Sequence, residues 1–290
     1  MNPLTNPAVI RHIMQQNGLQ FQKRYGQNFL TDEKILESIV TGAGVTEQDS
    51  VLEIGPGLGT LTWEIASRAK QVVSVEIDKG LTRVLEETLK EFSNVTVLHQ
   101  DILKTDLSAL VAEEFGGIPP YLIANLPYYI TTPIIMYLLE SEIAFPNIVI
   151  MIQKEVAQRI AASPGGKDYG VLTVAVHFYA QPEILCHVPA SSFVPAPNVD
   201  SVVLSLKPRP HPTCRPSNRQ AFFKVVKASF AQRRKTLLNS LCGAGCLRGT
   251  KEDIEKTLLA IGIDPRRRGE TLSIQELCNL SDEFCKKGLI

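Results

Sequence analysis

Four consecutive residues, Asn125-Leu126-Pro127-Tyr128, combine an amide, a stiff turn and an aromatic ring directly after an apolar run. An amide oxygen beside a main-chain carbonyl can accept both N–H bonds of an exocyclic amine. This matters for an aryl amine, whose lone pair is delocalised into its ring. Gripping both N–H bonds localises the pair and aims it at an electrophile. The side-chain oxygen of Asn125 supplies one acceptor, and the carbonyl of Leu126 or of Pro127 supplies the other. Pro127 brings no competing N–H, and Tyr128 is suited to stacking on a base. Methyl transfer from a sulfonium to such an amine needs no strong general base, because the amine becomes acidic once alkylated. Orientation and proximity then carry most of the rate. Taken alone, the same residues are an ordinary turn after a strand.

A second loop, Glu53-Ile54-Gly55-Pro56-Gly57-Leu58-Gly59, follows one apolar run and opens a helical stretch. Glycines let the backbone turn tightly and approach a ligand closely. The spacing is GxGxG, and Thr60 stands where a dinucleotide fingerprint would carry its third glycine. That argues against a pyrophosphate at the helix start. Glu53 before the loop also argues against phosphate and suits a cationic ligand. Glu76, 21 residues after Gly55, ends the next apolar run, where a carboxylate can accept from both ribose hydroxyls. Asp101 ends the third run and can accept from an adenine amino group, with Ile77 and Ile102 flanking the ring. Three successive strand ends thus offer polar groups to an adenosine that carries an amino-acid tail.

The elements that must position these loops alternate. SVLEI at 50–54, QVVSVEID at 71–78, NVTVLHQD at 94–101, PYLIANLPY at 120–128 and NIVIMIQ at 147–153 read as strands. Helical spacing recurs over Thr60–Lys70, 80–92 and Thr132–Glu140. The pattern predicts βαβ units in a doubly wound parallel α/β sheet, which binds ligands at the carboxyl ends of its strands. Residues 186–216 carry seven prolines and read as extended chain and linker. Residues 218–245, 251–261 and 272–286 read as helices of a small C-terminal domain. The expected division is therefore 1–207 and 208–290.

The formal net charge is zero, but it is unevenly spread. Residues 1–204 hold 13 Lys/Arg against 22 Asp/Glu, and residues 205–290 hold 17 against 8. An acidic body with a basic tail predicts a catalytic unit whose tail meets a polyanion. Arg233, Arg234, Lys235 and the run Arg266–Arg268 are spaced to track phosphates. None of the six cysteines falls in a CxxC pair, which predicts reduced thiols and no metal site. With no signal-peptide pattern and no apolar run of transmembrane length, a soluble cytoplasmic protein is expected.

The chain resembles the ribosomal RNA adenine dimethyltransferases of the KsgA type. The segments that carry the resemblance are GQNFL at 26–30, EIGPGLGTLT at 53–62, EID at 76–78, QDIL at 100–103, NLPYYITTPI at 125–134, QKEVAQRI at 153–160, FxPxPxVxS from Phe193 to Ser201, RRKTLLNSL at 233–241 and IDPRRRGETLS at 263–273. It implies a Rossmann-like class I methyltransferase domain with a small helical RNA-binding domain. It implies an S-adenosyl-L-methionine site built by Asn28, Leu30, Gly55, Glu76, Asp101 and Asn125, to which the reading of the glycine loop and strand ends adds Gly57, Ile77 and Ile102. It implies further that Asn125–Tyr128 hold the target amine and that Phe193 stacks on the target adenine. The implied substrate is two adjacent adenosines in a hairpin near the 3′ end of 16S rRNA, in the small subunit or its precursor, and the expected state is a monomer. Only Lys23 and Arg24 precede QNFL closely, a less basic approach than the family's.

Three other functions share part of this pattern. A macrolide-resistance enzyme performs the same chemistry on large-subunit rRNA, but NLPY, the following TTPI and IDPRRRGETLS favour the small-subunit substrate. A ribosome-assembly factor acting mainly by binding would not need Asn125 and Glu76. A nicotinamide oxidoreductase would need the missing glycine.

Overall fold

The computed structural model describes residues 2–19 and 27–290; Lys23, Arg24 and Gly26 lie outside these. The described strands are β1 (Phe29–Leu30), β2 (Ser50–Ile54), β3 (Gln71–Glu76), β4 (Val95–His99), β5 (Tyr121–Asn125), β6 (Ile148–Gln153), β7 (Ala180–Val188), β8 (Phe193–Val194) and β9 (Ser201–Pro208). The α-helices are α1 (Pro7–Gln16), α2 (Glu33–Ala43), α3 (Thr60–Ala66), α4 (Lys79–Thr88), α5 (Leu107–Phe115), α6 (Thr131–Glu140), α7 (Lys154–Ile160), α8 (Val171–Tyr179), α9 (Arg219–Phe230), α10 (Leu237–Gly243), α11 (Lys251–Ala260) and α12 (Ile274–Lys286).

Seven strands form one sheet in the order β4-β3-β2-β5-β6-β9-β7. β2 to β6 are parallel, and β9 joins β6 antiparallel. The central strands are covered on both faces, so they read as unbroken apolar runs such as Val51-Leu52 and Ile148–Ile152. Edge strand β4 is half-buried or exposed at every position. Helices α2, α4 and α5 start on Asp32, Asp78 and Asp106, whose carboxylates accept first-turn N–H groups. The chain leaves β2 toward β3 on one side and later returns to β5 on the other. That reversal opens a crevice at the carboxyl ends of β2 and β5.

Two compact units result: Met1–Ala157 with Gln181–Pro208, and Gln158–Ala180 with Arg209–Ile290. The division near residue 208 lies where the composition suggested, but residues 158–180 belong with the C-terminal helices. The reason is apolar packing. Tyr169, Val174 and Phe178 share a core with Phe222, Val225, Leu241, Leu277 and Phe284, and the Phe178 and Phe222 rings stack at 5.1 Å.

The linker expected over 186–216 needs correction. Its prolines flank β8 and β9 rather than interrupt them, and SVVLSL from Ser201 to Leu206 is a fully buried strand inside the sheet. The single helix expected over 218–245 is two, α9 and α10, separated by the turn that carries Arg233–Lys235.

Candidate active site

One cleft of about 1050 Å³, mouth included, opens at the carboxyl ends of β2, β3 and β5. Both loops singled out by sequence line it. Gly55 and Gly57 come from the turn after β2, and Asn125, Leu126, Pro127 and Tyr128 from the turn after β5. Asn28 and Leu30, Glu76 and Ile77, and Asp101 and Ile102 complete the lining expected of a nucleoside site.

The glycine turn is conformationally demanding. Gly57 has φ +63°, and a Cβ there would lie 3.0 Å from Phe29 Cε1. Gly59, at φ +90°, starts α3 with no room toward Leu85 and Leu89. Gly59 is therefore needed for helix packing, which a GxGxG spacing serves as well as GxGxxG.

Glu76 is buried, with its carboxylate held by the N–H groups of Asp78 at 2.8 Å and Gly57 at 3.3 Å. Burial raises its pKa, and these two N–H groups oppose the rise. Asp101 accepts the Leu103 N–H at 3.1 Å and lies 3.5 Å from the Lys104 ammonium. Thr60, which sequence reading passed over, also lines the cleft, and its buried hydroxyl has no partner among the described residues.

In the chemical loop, Leu126 N–H donates to the Met151 carbonyl at 3.1 Å, tying the turn to β6. The Pro127 carbonyl already accepts from Ile130 N–H at 3.2 Å and Thr131 Oγ1 at 3.0 Å. Of the two carbonyls the sequence offered, Leu126 is thus the one left to a ligand. The Asn125 amide donates to the Asn28 carbonyl at 3.5 Å, which leaves its oxygen as the accepting end. Tyr128 is anchored at its hydroxyl, 2.7 Å from Ser201 Oγ; burial raises its pKa and this bond opposes it. Ser201 closes the FxPxPxVxS segment. Tyr129 also lines the cleft and is half exposed.

Two expected residues stand apart from the cleft. Glu53 is 1% exposed and faces inward. One carboxylate oxygen accepts from Thr62 Oγ1 and Ser74 Oγ, both at 2.7 Å, and the other has no partner among the described residues. Burial pushes its pKa up to about 7. A side chain under the loop cannot meet a cationic ligand directly, so that part of the sequence reading is replaced by a supporting role. Phe193 pairs with Leu30 across β8 and β1 and is buried with Leu36, Ile39 and Val203. Its ring belongs to the core because the proline-flanked strand is drawn against β1.

The basic segments adjoin in the helical unit, where Leu237 N–H donates to the Arg267 carbonyl at 2.6 Å. Arg233, Arg234 and Lys235 are exposed, and Arg233 also reaches the Lys167 carbonyl. Arg266 pairs with Asp264 at 3.2 Å, and Arg268 lies 3.9 Å from Glu270. Arg267 is half-buried and forks onto Glu276 and the Thr271 carbonyl, so its guanidinium is committed to the fold rather than to RNA.

A sheet in this order, with a glycine turn, strand-end carboxylates and an amide-aromatic turn around one crevice, defines a Rossmann-like methyltransferase. The family described as ribosomal RNA adenine dimethylase matches residues 18–286. The chain is 50% identical over 281 residues to the ribosomal RNA small subunit methyltransferase A of Geobacillus thermodenitrificans (strain NG80-2), covering 96% of each. Among solved structures, it is 29% identical to a dimethyladenosine transferase from Plasmodium falciparum, with a TM-score of 0.71 over 90% of this chain and 98% of that one. It is 27% identical to the 23S rRNA methyltransferase ErmE, with a TM-score of 0.66 over 89% and 100%. The chain belongs to the ribosomal RNA adenine dimethylase family. Among the described residues, no helix is long and apolar enough to cross a membrane.

Proposed function

We propose that this chain dimethylates the N6 amines of two adjacent adenosines in a hairpin near the 3′ end of 16S rRNA, using S-adenosylmethionine, as a monomer in the cytoplasm. The observation that carries this reading is the meeting of the glycine turn and the Asn125–Tyr128 turn in one cleft. The small-subunit substrate is favoured by the relative named above and by NLPY, TTPI and IDPRRRGETLS in this chain.

The cleft fits the cofactor. Glu76 offers two buried carboxylate oxygens to vicinal hydroxyls, Asp101 an acceptor to the adenine amine, and Ile77 and Ile102 apolar contacts to the ring. Gly57 leaves the room that a Cβ would fill. When bound, the sulfonium supplies an electrophilic methyl carbon, and its thioether is the leaving group. The protein's task is then positional. Asn125 Oδ1 and the Leu126 carbonyl accept the two N–H bonds of the target amine and direct its lone pair. Tyr128, pinned by Ser201, stacks on the flipped base. The surplus proton leaves to solvent after each transfer. Arg233, Arg234 and Lys235, with Arg266 and Arg268 beside them, supply cations for phosphates, and the protein serves small-subunit biogenesis.

The deciding assay incubates unmethylated 30S particles and 50S particles with labelled S-adenosylmethionine, followed by primer extension. Label at two neighbouring adenosines near the 16S 3′ end is expected. Label confined to 23S rRNA would overturn the substrate assignment.

A further inference from the structure

The family match begins at residue 18, yet the residues before it pack behind the wall of the cleft. Helix α1 opens on Pro7 behind an Asn6 cap. It buries Ile10 completely and leaves Met14 3% exposed. The cluster these two enter also holds Phe29, Leu58, Leu81 and Val84. Leu58 belongs to the glycine turn, while Phe29 and Leu81 line the cleft. Upstream, Asn2 is buried. Its amide donates to the Thr60 carbonyl at 2.9 Å, and its Oδ1 accepts the Leu4 N–H at 3.0 Å.

We propose that residues 2–16 are a positioning element for S-adenosylmethionine, which hold the glycine turn and the Phe29 wall in their ligand-binding shape, with Asn2 as the positioning residue at the start of α3. This rests on the reading of the cleft as the cofactor site. The physical argument is preorganisation. Three glycines within five residues, all at positive φ, give the turn little shape of its own and much freedom to lose. Leu58 is the turn's one large side chain, and it is completely buried in the cluster that Ile10 and Met14 fill from outside. The turn held this way presents the Gly57 N–H to the Glu76 carboxylate, which orients the acceptor for ribose. Ordering supplied by the protein is ordering the ligand does not have to impose.

The test is calorimetric titration of S-adenosylmethionine into the full chain, tagged only at its C-terminus, and into Asn2→Asp and Met14→Ala. Asn2→Asp keeps the acceptor for the Leu4 N–H and puts, in place of the donor to Thr60, a carboxylate oxygen that repels the Thr60 carbonyl. The Kd is expected to rise about tenfold in each variant, with kcat at saturating cofactor and KM for RNA unchanged. Wild-type binding with unchanged Kd in both variants would overturn the proposal, whereas absence of binding by the wild type would overturn the site reading instead. Hydrogen exchange on the unaltered protein covers the case of a variant that does not fold. By reciprocity of coupling, the cofactor should slow exchange in residues 8–16 as well as 55–60. Slowing confined to 55–60 counts against the element.

Discussion

Glu53→Gln should flatten the pH dependence of the methyltransferase domain's stability. The Glu53 carboxyl is 1% exposed and holds its proton to about pH 7, against 4.5 for the free group. Burial is the largest cause, opposed by the hydroxyls of Thr62 and Ser74. An unfolded chain releases this proton near pH 4.5, while the folded chain keeps it to about 7. The folded state therefore binds more protons across that window, and its stability falls as pH rises through it. The difference corresponds to about 3 kcal/mol at about 1.4 kcal/mol per tenfold change in proton affinity. A neutral glutamine accepts from the same two hydroxyls and does not titrate. Wild type and variant should be similarly stable at pH 4, and the variant should be more stable by up to about 3 kcal/mol at pH 8. The sequence holds one tryptophan, Trp63 in α3, edge-on to Phe92 at 5.4 Å. Its fluorescence during urea unfolding reports this domain and not the helical one. A wild-type-minus-variant difference that stays constant from pH 4 to pH 8 would show that Glu53 is not buried as a titrating carboxyl, and would refute the reasoning.

The remaining predictions address the cleft and the basic segments. Asn125→Ala should remove most methyl transfer while leaving calorimetric cofactor affinity within about threefold, since proximity of the amine is what it loses; retained turnover would end the amine-holding role. Ser201→Ala and Tyr128→Phe should each lower kcat/KM for RNA by about fivefold, the worth of one hydrogen bond, and the double variant should lose little more. Full additivity in that cycle would mean that the bond does not orient the ring. Gly57→Ala forces a side chain against Phe29 at positive φ and should weaken cofactor binding by about tenfold or more, read by calorimetry. Arg233→Glu with Arg234→Glu should weaken RNA binding and reduce its salt slope by about one per lost phosphate contact. Arg267→Ala should instead lower the unfolding temperature and leave that slope unchanged.

The sequence alone determined the chemistry-bearing turns and the strands that end in them. Their signals are local: an apolar run covered on both faces, a glycine turn, an acid at a strand end. Asn125 and Glu76 could be picked because each ends such a run, and Asp101 because it is the acid just past the edge strand β4. Tertiary packing decided the rest, because burial depends on what the remote chain brings. Glu53 and Phe193 looked like ligand contacts from their neighbours in sequence, but the sheet interior claims one and the β1–β8 pairing claims the other. Ser201 lies 73 residues from Tyr128, so no local pattern joins them. The choice of the Leu126 carbonyl over that of Pro127 waited on where Thr131 places its hydroxyl. Residues 158–180 joined the C-terminal helices only because Phe178 meets Phe222, and Arg267 left the RNA-facing set only because Glu276 lies within its reach. Short-range periodicity specifies elements and turns, whereas the partner of a buried side chain is set by contacts between segments far apart in the chain.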